Sequence, residues 1–321
     1  MRKRRVLFPP FMFILFFPFI VHAFDGPLQV KNQFPLFLNV NAPYMETASI
    51  ENSFSVSLSH SSVYLVRDSS EWFLGLDMEI TELNLIFKRN IRDFIELGVD
   101  LPLVSFSSGF MDGFINSYHE AFGFPDYGRS SRPDNKFLYE VTRKGVLIIK
   151  GENGRIGVGD IRFMFKKPIL KGDPAISIKA DVELPTGDAK TGYGSGGIDA
   201  GVAVLIDKKL SEEIKAYCNL GVVFPGSLKG YEKVRLREFI YGGSGVEAAL
   251  WKNFSLLGQV FMQGSPFPKT DISSVDRMAV LLSLGGRYYL GNSSLELSFT
   301  EDPNTSGAPD FTFNVSFKRR F

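Results

Sequence analysis

His60 and His119 are the side chains of this 321-residue protein best suited to proton transfer near neutral pH; the third histidine, His22, ends an apolar N-terminal run. His60 stands among hydroxyls in Ser59-His60-Ser61-Ser62, and His119 adjoins Glu120 shortly after Asp112. A hydrolytic relay needs an imidazole oriented by an acid, with a hydroxyl within hydrogen-bond reach. His60, His119, Asp112 and Glu120 are therefore the candidates for catalysis. The competing reading is that His60 merely sits among serines that are common because the inward face of that strand is polar, and that the others are ordinary loop residues, which requires no enzyme. Gly192-Tyr193-Gly194-Ser195-Gly196-Gly197 lacks the Lys-Ser/Thr of a phosphate-cradling loop. Cys218 is the single cysteine, so no disulfide framework exists, and no linear spacing of metal ligands stands out. No metal or other cofactor is expected.

A second set of active side chains lies on alternating positions. Ile176, Ile178, Ala180, Val182 and Leu184 alternate with Ser177, Lys179, Asp181 and Glu183, the period-two pattern of a strand with one apolar and one polar face. The same reading places Glu82, Glu96, Asp100, Asp160, Asp199 and Glu296 on polar faces, together with Arg162, Lys166, Lys215, Arg287, Lys318 and Arg320. Strands of this kind suit a wall between lipid and a wet lumen. The signs are mixed, whereas a strongly selective pore would show rings of one sign. A mixed lining fits a weakly selective channel or a narrow barrel filled by its own ion pairs.

The elements that must carry these residues end on a closing strand. Phe311, Phe313, Val315, Phe317 and Phe321 share one face, and Thr312, Asn314, Ser316, Lys318 and Arg320 the other. Phe317 and the terminal Phe321 resemble the assembly signal of bacterial outer-membrane barrels. At the other end, Arg2, Lys3, Arg4 and Arg5 precede an apolar run closed by Val21-His22-Ala23, so residues 1–23 are expected to be a cleaved export signal. Four of the 36 basic residues and none of the 35 acidic ones lie there, leaving the remainder with three more acids than bases. Such a balance gives no reason to expect nucleic acid.

Residues 24–51, broken by Pro27, Pro35 and Pro43, read as a periplasmic lead-in, and 52–321 as an antiparallel transmembrane β-barrel. Connections that alternate between short and long give about twelve strands, with 105–156 as one long outer loop. Within that loop, 137–150 is apolar enough to tempt a strand assignment; if it spans, a further strand must exist and the count becomes fourteen. Phe110, Phe114, Tyr118 and Phe122 recur every four residues, which stacks them along a short helix. That stripe either packs the loop against the rim or folds into the lumen and constricts it.

Asn32-Gln33-Phe34-Pro35-Leu36, Ser59-His60-Ser61-Ser62, the 109–119 stretch, Gly157-Val158-Gly159-Asp160 and Leu184-Pro185-Thr186-Gly187-Asp188 together resemble a bacterial family known as domain of unknown function 3187. Pro185-Thr186-Gly187 after a strand is also similar to barrels proposed to carry aromatic compounds across the outer membrane. The resemblance implies a barrel in the bacterial outer membrane and leaves the activity open. Its expected partners are outer-membrane lipid, the barrel-assembly machinery during insertion, and small solutes. The expected function is a weakly selective channel or uptake route; the alternatives are a closed structural or binding barrel and a lipid hydrolase using the rim histidines.

Overall fold

The computed structural model describes residues 24–123, 128–129 and 132–321; the expected signal at 1–23 lies outside them. Twelve antiparallel strands close into a barrel. They are β1 Ser53–Asp68, β2 Trp72–Ile91, β3 Ile95–Ser107, β4 Ile161–Leu170, β5 Ala175–Leu184 and β6 Asp199–Lys209. The second half comprises β7 Ile214–Phe224, β8 Phe239–Trp251, β9 Phe254–Gln263, β10 Ala279–Leu290, β11 Ser293–Glu301 and β12 Phe311–Arg320. Closure pairs β1 with β12, from Ser53 opposite Arg320 to Ser62 opposite Phe311. Because side chains alternate, that register sends Phe54, Leu58, Phe313 and Phe317 outward together, all well exposed. Among the described residues no helix is long and apolar enough to cross a membrane; the strands supply the apolar belt.

The 137–150 stretch forms a hairpin of Leu138–Arg143 and Val146–Lys150. Among the described residues its ladder partner in the barrel is Trp72–Asp77, at the end that carries the long connections, and its main chain also bonds Lys190 and Tyr231 in those connections. It therefore extends the wall beyond the span, and the count stays at twelve.

The inward face has two zones. Toward the short-turn end it is polar and charged, as the alternation implies. Toward the long-loop end β1 and β2 turn Val63, Leu65, Trp72, Leu74, Leu76, Met78 and Ile80 inward, and a cluster of buried apolar side chains fills the lumen there. Residues 24–51, expected as a periplasmic lead-in, instead occupy the lumen. Phe34, Leu36, Phe37, Leu38 and Val40 of this segment belong to the apolar cluster, while Lys31, Glu46 and Asp25 are buried among the charges below. Burial of apolar side chains and pairing of otherwise stranded charges both favour this position over an extended one in water.

The expected aromatic helix forms at Asp112–Phe122. Its described aromatics do not constrict the lumen: Phe110 is exposed and stacks on His60, and Phe114 packs edge-on against Phe311. His60 and Phe311 lie on the outward faces of β1 and β12, so this part of the loop covers the outside of the wall. The side chains of Tyr118 and Phe122 lie outside the described residues.

A lumen-filling segment is shielded where a lead-in in water is not. Amides of residues 28–48 are expected to exchange with deuterated water as slowly as those of β5 in the folded, lipid-embedded protein. Exchange at the rate of an unstructured peptide would place the segment outside the barrel.

Candidate functional site: the filled lumen

The N-terminal segment enters the lumen at the short-turn end, rises to a single helical turn at Pro35–Leu38, and descends to β1. The phenylalanine amide of position 34 donates to Asn32 Oδ1 at 3.0 Å, and Pro35 at the first helical position suits the turn. At the apex Asn32 Nδ2 donates to the Gly307 carbonyl at 2.7 Å, and Asn39 Nδ2 donates to the Gly192 carbonyl. Gly307 has φ +61 and lies directly against the Phe37 ring, where a Cβ would collide. Lower down, a Cβ at Gly243 would meet Met45 Sδ at 2.7 Å and one at Gly285 would meet Leu28 at 2.9 Å. The wall is recessed where the segment is bulky.

Four charged groupings fasten the segment to the wall. Asp25 and Glu51 face Lys318 and Arg320, with Lys318 Nζ 2.9 Å from Asp25 and 2.7 Å from Glu51. Lys31 lies 3.1 Å from both Glu82 and Asp100, and Asp100 also binds Arg162 at 2.9 Å. Arg287 joins Glu247 at 3.0 Å and Glu296 at 2.5 Å, and donates to the Gly26 carbonyl at 2.8 Å. Glu46 meets Lys88 at 2.5 Å, Lys179 at 2.6 Å and Lys166 at 3.8 Å, while Lys166 also pairs with Glu96 at 2.9 Å. Tyr44 lies amid the cations, its ring 5.1 Å from Lys179 and 5.3 Å from Arg162.

The charges expected on the inward face are buried, except that Lys215 and Arg320 keep partial contact with water near the short-turn end. Expected ion pairs across the wall do occur, as in Arg162–Asp100, but most cations also reach the segment. Asp207 and Glu247 lie outside the expected set, whereas Lys88 belongs to the polar face expected of the second strand. The same alternation identifies Lys88 beside Glu82 and Asn84, and Asp207 in phase with Asp199. Asp25, Lys31, Glu46 and Glu51 had no such signal, because their segment has no strand period.

Asp160, Glu183 and Asp199 each offer an oxygen within 4.8 Å of the others, the one such grouping of acids found among the described residues. Linear spacing hides it, since the three come from different strands or their edges. Asp160 accepts the Gly187 and Ser195 amides at 2.7 Å, Glu183 the Asn41 amide at 2.8 Å, and Asp199 the Gly226 amide at 2.6 Å. Asp160, at the head of β4, is pushed up to about 6 by burial. These carboxylates tie the β5–β6 connection, the β7–β8 connection and the N-terminal segment together through main-chain donors.

The rim candidates do not converge on a relay. His60 shares hydrogen bonds of 2.8 Å with Thr81 Oγ1 and Glu79 Oε2, so its acid is Glu79 rather than Asp112 or Glu120. Glu79 in turn accepts the amides of Phe110 and Met111, which fastens the long loop to the outside of the wall. Asp112 pairs with Arg129 and accepts the Asn135 amide at 2.6 Å. Glu120 is exposed, and the His119 side chain lies outside the described residues. Phe317 is exposed on the outward face, and Phe321 stacks at 6.0 Å on Phe87.

Arg287→Met strands Glu247 and Glu296 and is expected to cost about 3–5 kcal/mol in urea unfolding of the lipid-embedded protein; a loss under about 1 kcal/mol would mean the pairs contribute little. In the 302–310 connection, burial pushes Asp302 up to about 7, above its unfolded value of 3.8. The fold therefore favours its protonated form, and this contribution is complete below about pH 4 and lost as pH rises through about 7. Amides of Asn304 and Ser306, which donate to Asp302, should open more readily at about pH 8.5 than at about pH 5.5 after correction for intrinsic exchange, and Asp302→Asn should remove the difference.

No curated protein matches the chain. Among solved structures, the COG4313 outer membrane channel from Pseudomonas putida F1 aligns with a TM-score of 0.56 at 13% identity, over 85% of this chain and 96% of that one. The NanC porin aligns at 0.48 and 7% identity over 84% and 100% of the two chains, and the Pseudomonas putida toluene transporter TodX at 0.42 and 10% over 94% and 100%. At these identities the likeness to the first is one of fold, and the other two scores carry no argument. The family model described as Protein of unknown function (DUF3187) matches residues 10–321, and the chain belongs to that family.

Proposed function

We propose that the protein is an outer-membrane channel for small solutes, held closed by its own N-terminal segment. The carrying observation is that the lumen is filled by a separate stretch of chain, residues 24–51, and not by side chains of the wall alone. The segment leaves through the mouth by which it enters, so it can withdraw without breaking any barrel pairing. Most of its lower contacts are ion pairs and hydrogen bonds, which water and solute can replace. An export signal at 1–23, insertion with Phe317 and Phe321 as the assembly signal, and surrounding outer-membrane lipid complete the reading.

Closure that is permanent is the second reading, favoured by the apolar packing of Phe34, Leu36 and Phe37 at the apex. Conductance separates the two. Refolded protein in a planar bilayer should be mostly silent with brief openings. Gly307→Leu, which drives a side chain into Phe37, should lengthen the openings. A folded variant that never conducts would leave the closed barrel standing.

A further inference from the structure

The three lysines that converge on Glu46 are built as a receptor for a carboxylate. Lys88, Lys166 and Lys179 come from three different wall strands, β2, β4 and β5, and their side chains are at most 3% exposed. Several wall cations are matched by the wall itself: Arg162 by Asp100, Arg287 by Glu296, Lys215 by Asp207, and, within the cluster, Lys166 by Glu96 at 2.9 Å against 3.8 Å to Glu46. Lys88 instead reaches off the wall to Glu46, and Lys179 approaches Glu46 more closely than it approaches Asp181, at 2.6 against 3.5 Å. Asn219 fixes the Glu46 backbone from both sides, accepting its amide at 2.7 Å and donating to its carbonyl at 3.0 Å. The carboxylate is thus presented to the lysines as a ligand would be.

We infer that this lysine cluster is a binding site for small organic carboxylates, and that Glu46 is its resident occupant, which an incoming anion displaces to release the N-terminal segment. The inference rests on the channel reading and names the solute class for it. The charges agree: with Glu46 withdrawn, the wall acids ion-paired with the three ammonium groups among the described residues are Glu96 and Asp181, leaving one positive charge in excess. An anion bearing two or three carboxylates satisfies the lysines as Glu46 does, and with more charge. Withdrawal also frees Lys166 from the Thr47 and Ser49 carbonyls, each at 3.2 Å, so the site becomes fully available only as the segment leaves.

Lys31 is the only basic residue between Phe24 and Glu51 and is buried in the lumen, so tryptic cleavage after Lys31 reports release of the segment. With the full mature protein in lipid vesicles, citrate should accelerate that cleavage by about tenfold over chloride at matched ionic strength, an ordinary ligand coupling. The Lys88→Gln/Lys179→Gln double variant should be cleaved without citrate and show no citrate dependence. Equal rates in citrate and chloride for the wild type would overturn the inference, and that comparison decides even if the double variant does not fold. Parallel bilayer recordings keep the two readings apart. Citrate-dependent cleavage without conductance refutes the channel and leaves the site, whereas conductance without citrate dependence refutes the site and leaves the channel.

Discussion

A charge placed inside a barrel of this width must find a partner or keep its water. Eight strands can be filled by their own side chains, and sixteen or more leave an open aqueous channel. Twelve strands leave a gap that the wall cannot bridge everywhere by itself. Residues 24–51 resolve the problem by bringing Asp25, Lys31, Glu46 and Glu51 to the inward Lys318, Glu82, Lys88 and Lys179. Removing one member of such a group is costly because it strands the others in a poorly solvating interior. The wall glycines and the two-zone lining fit the same occupant.

The barrel was legible in the sequence because a strand with two different faces writes itself as alternation. The strand of Ala175–Leu184 and the closing strand at Phe311–Arg320 needed no tertiary information, and the rhythm of short and long connections pointed to about twelve strands, with fourteen left open by 137–150. What the alternation could not show is which inward positions change from polar to apolar along a strand. Leu74, Leu76, Met78 and Ile80 follow each other in β2 with Gly75, Asp77 and Glu79 between them, which keeps the period but reverses the faces. The segment at 24–51 was illegible for a different reason. Its conformation is imposed by the walls around it, and its prolines and scattered polar residues look like those of a linker until the charges opposite them are known.

The rim shows how a spacing can be right while leaving its meaning open. Phe110 and Phe114 do belong to or border a short helix, as the four-residue recurrence implied, but periodicity says which side chains share a face and not which surface that face meets. Glu79 decides it. A carboxylate on the outward side of β2, bonded to His60 and to two loop amides, holds the loop against the exterior. A buried acid on the outer wall would be expensive without those donors.

Asp25 and Glu51 stand near the two ends of the lumen segment, and both meet Lys318 and Arg320 on the last strand, beside the junction where β12 pairs with β1. The two ends of residues 24–51 are thereby stitched to the final strand beside the seam where the first and last strands meet. Filling the ring therefore also neutralises the strand that closes it. An open sheet offers the segment no opposite wall, and an empty ring lacks two of the acids that neutralise its final strand. The last strand of the barrel thus completes the binding place of a segment that precedes the first.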